Sequence, residues 1–152
     1  MSADAVKDII RSDVSKDLLI DIDAEARSTR KAAGEAALGM GLVGRDALQI
    51  AGFGAHKLFE NRLTELWAAA GGEVLVGGLI PGTELRNYQP LCRQGRVILG
   101  KASILDPREL PAKNLTRANA ATLNSRYATV SFLPGMEPPA PSEDVISVLL
   151  LT

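Results

Sequence analysis

Apolar residues recur at every fourth position from the start of the chain, at Val6, Ile10, Val14, Leu18 and Ile22. That spacing holds them on one helical face, so the pattern predicts helix over Ala3–Arg11 and again from Lys16 onward. Leu18–Ile22 taken alone also reads as a short strand, and the spacing of four decides for helix. Two ladders of small residues follow: Ala33, Ala37, Gly41 and then Ala47, Ala51, Ala55. Each lies along one helical face and lets a neighbouring backbone approach closely. They predict a helical hairpin over about 23–70, folded about Val43-Gly44-Arg45. Gly44 is expected to stop the first helix, and Asp46 with Gln49 to cap the second as a capping box. Phe59, Leu63, Leu66 and Trp67 then form a stripe that should face a core.

Past Gly72 the period shortens to β-type runs separated by turn residues. Glu73–Ile80, Glu84–Leu91 and Arg96–Leu99 are read as extended, with turns at Pro81-Gly82 and Gln94-Gly95 and an extension over Ala102–Leu105. Ala118–Leu123 is a short helix or a crossing segment, Tyr127–Leu133 a strand, and Asp106–Pro111 and Pro134–Pro141 are loops. Val145–Leu151 is almost wholly apolar and is expected to be a central strand buried on both faces. The expected fold class is α+β: N-terminal helices, including the hairpin, packed on a small, mainly antiparallel C-terminal β-sheet or barrel. Residues 1–152 are read as one domain, with a helical part 3–70 and a β-rich part 73–152.

Composition narrows the class. With 46% hydrophobic and 23% charged residues, the chain has the make-up of a folded domain and not of a disordered one. A net charge of −1 argues against a protein whose main task is coating nucleic acid. The charge is uneven, however. Between Glu73 and Gly135 eight basic residues face four acidic ones, a net of +4. Cys92 is the only cysteine, which excludes an internal disulfide and a four-cysteine metal site. No run of about 18 apolar residues exists, so no membrane span is expected. Met1-Ser2-Ala3-Asp4 lacks the basic and apolar regions of a signal peptide, and the expected home is the cytoplasm, or a virion if the source is viral.

Four features carry candidate chemistry. Gly39-Met40-Gly41-Leu42-Val43-Gly44 matches G-x-G-x-x-G, but the dinucleotide fingerprint needs a preceding strand, and here a helix precedes it, so a helix–helix turn is the reading taken. His56 is the only histidine and the only base available to Cys92; a small hydrolase or transferase centred on His56 is one alternative. Asp13, Asp17, Asp21 and Glu25 would form an acidic face on a continuous helix, able to meet a basic partner. The donor-rich tract Lys113-Asn114-Leu115-Thr116-Arg117-Ala118-Asn119, continuing to Thr122, Asn124, Ser125, Arg126 and Tyr127, joins Arg86, Tyr88, Arg93 and Arg96 in a basic set with an aromatic, the side chains that hold phosphates and base edges. Nucleic-acid binding through this basic half is the other alternative. No catalytic, cofactor-binding or metal-binding residues are assigned.

The leading expectation is a non-enzymatic interaction or assembly protein that meets copies of itself or a protein partner. Phage or viral structural proteins, adaptors and small inhibitors share this composition, an analogy at the level of class alone.

Overall fold

The computed structural model of the chain describes residues 3–102, 108, 114–127 and 144–151. It divides into two units: Lys16–Gly71, and Met1–Ser15 together with Gly72–Thr152.

The first unit is the helical hairpin. Helix α2 spans Lys16–Gly39 and α3 spans Gly44–Ala69. The inward residues of α2 are Leu18, Ile22, Thr29, Ala33 and Ala37, and those of α3 are Phe59, Leu63 and Trp67. The backbones come close where small residues meet: a Cβ added to Gly54 would lie 3.5 Å from Ala33 Cβ. Two expected details shift. The first helix is stopped by Gly41, not Gly44. Gly41 adopts φ 76°, its N–H donates to Leu38 O (2.9 Å), and Leu42 N–H donates to Ala37 O (3.3 Å). That is the paired capping pattern that a left-handed glycine makes without Cβ strain. Asp46 is not the N-cap of α3 either. The extended Val43 holds that place with no side-chain cap, and Asp46 sits in the first turn, where its charge still complements the helix dipole.

The second unit combines helix α1 (Ala3–Asp13) with strands and a short helix from the C-terminal half. The break expected between the Ala3–Arg11 helix and the helix from Lys16 is present at Val14-Ser15, with α1 running on to Asp13. Ser12 and Asp13 turn their side chains to other partners there: Ser12 Oγ donates to the Asp13 carboxylate and accepts from Arg96 Nη2 (2.9 Å), and Asp13 reaches a distant strand turn. Such side chains compete with helix propagation.

Strands β1 (Glu73–Leu75), β4 (Leu91–Gln94), β5 (Val97–Ala102) and β6 (Ile146–Leu151) form one sheet in the order β1-β4-β5-β6. β2 (Gly78–Leu79) and β3 (Arg86–Asn87) form a separate two-stranded ribbon. The fold is α+β with a small mixed sheet, and no barrel closes among the described residues. β1–β4 and β4–β5 are antiparallel, whereas β5–β6 is parallel. Thus Val145–Leu151 is not a central strand: β6 lies at the end of the sheet order, its middle residues only half-buried.

Alternation along the strands places Leu75, Leu91 and Ile98 on one sheet face. They pack with Ile80, Ala120, Leu123 and Val145, so α4 (Leu115–Ala121) and the 3-10 turn Thr122–Tyr127 supply part of that core. The readings over Ala102–Leu105, Asp106–Pro111, Tyr127–Leu133 and Pro134–Pro141 fall wholly or mainly outside the described residues.

Candidate interaction surface

The hairpin distributes polarity along its length. Away from its turn, charges are paired at helical spacing: Arg27–Asp23 (2.7 Å), Arg62–Glu65 (2.8 Å) and Lys57–Glu60 (3.1 Å). Exposed pairs of this kind keep a helix soluble and add little stability. Around the turn, Ala36–Ala55 carries only Arg45 and Asp46 as charged residues. Leu38, Met40, Val43, Leu48 and Phe53 are each at least 66% exposed there. An antiparallel pair of helices can bury one stripe of each, so a helix end that is apolar around its circumference leaves the remainder in water.

Helical rotation sorts these side chains. Each residue turns 100° from the last. Starting from the Ala33–Gly54 approach, the count brings Gly34 and Leu38 of α2 to one side of the hairpin. Because α3 runs the other way, Leu48 comes to that same side, whereas Gly52, two residues from Gly54, turns about 160° from the contact and faces away from α2. Gly34 lies nearly level with Gly52, and Leu38 nearly level with Leu48, one helical turn nearer the tip. Nothing lies within 4 Å of a Cβ added at Gly34 or Gly52. Neither glycine has positive φ, so neither the hairpin's own packing nor its backbone calls for glycine at these two helical positions.

The residues singled out from the sequence scatter. Asp17 and Asp21 are exposed on α2, and Glu25, partly covered, faces Arg62 across the hairpin (3.7 Å). Asp13 belongs to the other unit and is fully engaged. It accepts from Arg96 N–H (2.8 Å), Nε (3.0 Å) and Nη2 (2.8 Å), and from Ser12 Oγ. Those bonds, Arg96 first, hold its carboxyl well below the usual carboxylate range. The helix that would align the four acids stops between Asp13 and Asp17, and Asp13 is taken up by Arg96.

The donor-rich tract is largely turned inward. Asn114 caps α4 by accepting from Arg117 N–H (3.2 Å). Thr116 Oγ1 accepts from Tyr88 N–H (2.7 Å), and Asn119 Nδ2 donates to Arg86 O (2.7 Å), tying α4 to β3. Asn124 brackets Ser147, accepting from its N–H and donating to its carbonyl, both at 2.8 Å. A side-chain amide here takes the place of a neighbouring strand along β6 and blunts that edge. The side chains of Arg86 and Tyr88 are exposed, Arg93 Nε donates to Gly95 O (3.1 Å), and Arg96 is held by Asp13. Lys113 and the side chain of Arg126 lie outside the described residues.

Cys92 is fully buried on β4, and burial pushes its thiol up to about 11, so thiolate chemistry at neutral pH is suppressed. His56 lies on α3, in the other unit, half-buried. The G-x-G-x-x-G stretch is the helix–helix turn expected of it. No described helix is long and apolar enough to cross a membrane. The exposed apolar tip is what sequence reasoning passed over. Its signal in the sequence is the near-absence of charge over Ala36–Ala55, a stretch whose small residues also suit close helix packing. No family model, curated protein or solved structure gives a significant match to the chain.

Proposed function

We propose that this chain is a non-enzymatic interaction and assembly protein whose helical hairpin offers the contact face. One observation carries the reading: large apolar side chains at the hairpin's turn, Leu38, Met40, Val43, Leu48 and Phe53, stand in solvent. Isolated apolar residues on a surface are ordinary, whereas contiguous ones mark a surface that another molecule covers. The paired charges on the other half of the hairpin keep the unit soluble while the tip is engaged.

Light scattering coupled to size exclusion tests the proposal on the full chain at low and high salt, alongside recovery of the tagged chain from its own source. The expected result is a complex of defined stoichiometry, with itself or with a protein companion, that persists at high salt. Apolar burial is not screened, whereas charge pairing between exposed groups is. A monomer at both salts with no companion recovered refutes it. So does material that co-elutes with nucleic acid until salt strips it, a result that would instead favour the basic half.

A further inference from the structure

We draw no further inference here: the strongest candidate, the exposed apolar patch around the turn of the helical hairpin, from Leu38 to Phe53, carries none because nothing in the structure shows what covers it.

Discussion

Asp13→Asn tests the contact that attaches α1 to the sheet. Asp13 takes three hydrogen bonds from Arg96 and one from Ser12, across 83 residues of sequence in the case of Arg96. Each charge-assisted bond would contribute about 1.5–3 kcal/mol if fully sheltered. The Arg96 side chain is 46% exposed, so solvent screens most of that and the whole bracket is worth about 1–2 kcal/mol. Asparagine keeps the shape and one acceptor oxygen and loses the charge, so the variant should be destabilised by about 1 kcal/mol at neutral pH. The sign with pH follows from the lowered carboxyl in the folded state. The unfolded chain regains the proton near pH 3.9, so the stabilisation is complete above that value and drains away as pH falls below it. By pH 3 the wild type should have given up about 1 kcal/mol that the variant never had. Urea unfolding followed by circular dichroism from pH 7 to pH 3 measures the difference, and amide exchange in β5 localises it. A gap between the two proteins that stays constant over that range would refute the reasoning.

Three further outcomes are expected. Asn124→Ala removes both bonds to Ser147 and bares the edge of β6, costing about 1–2 kcal/mol; amide exchange at Ser147 and aggregation on storage should both rise. Trp67 is fully buried and its Nε1 has no hydrogen-bond partner among the described residues, so Trp67→Phe relieves a desolvated donor and should cost well under the about 3–5 kcal/mol of Trp67→Ala in thermal unfolding. Cys92 should resist a thiol-specific chromogenic disulfide in the native protein at pH 8 and react on addition of denaturant, whereas rapid native labelling would contradict its burial.

Much of this fold was legible along the chain, because helices, turns and strand segments have short periods. The spacing of four in Leu18–Ile22 and in the alanine ladders specified α2 and α3. Gln94-Gly95 specified the β4–β5 reversal, where Gly95 holds φ 56° and a Cβ would strike Asp13 Oδ2 at 2.6 Å. The change of period at Gly72 marked the start of the sheet. What no local window contains is which distant segments meet. α1 shares the hairpin's helical period yet belongs with the sheet, because Asp13 finds Arg96 and α1 packs on β5. β6 reads as central from its leucines but lies at the edge, because its parallel pairing with β5 leaves its other side to Asn124. The donor-rich tract read as a binding set because hydrogen-bonding capacity is a property of residue type. Whether a donor faces a ligand or a neighbouring carbonyl is settled only when the chain has folded, as Asn119 and Asn124 illustrate. The hairpin tip is the converse case. Its apolar content was plain in the sequence, but burial is a property of what surrounds a residue, and only the tertiary structure left Leu38 and Leu48 in water.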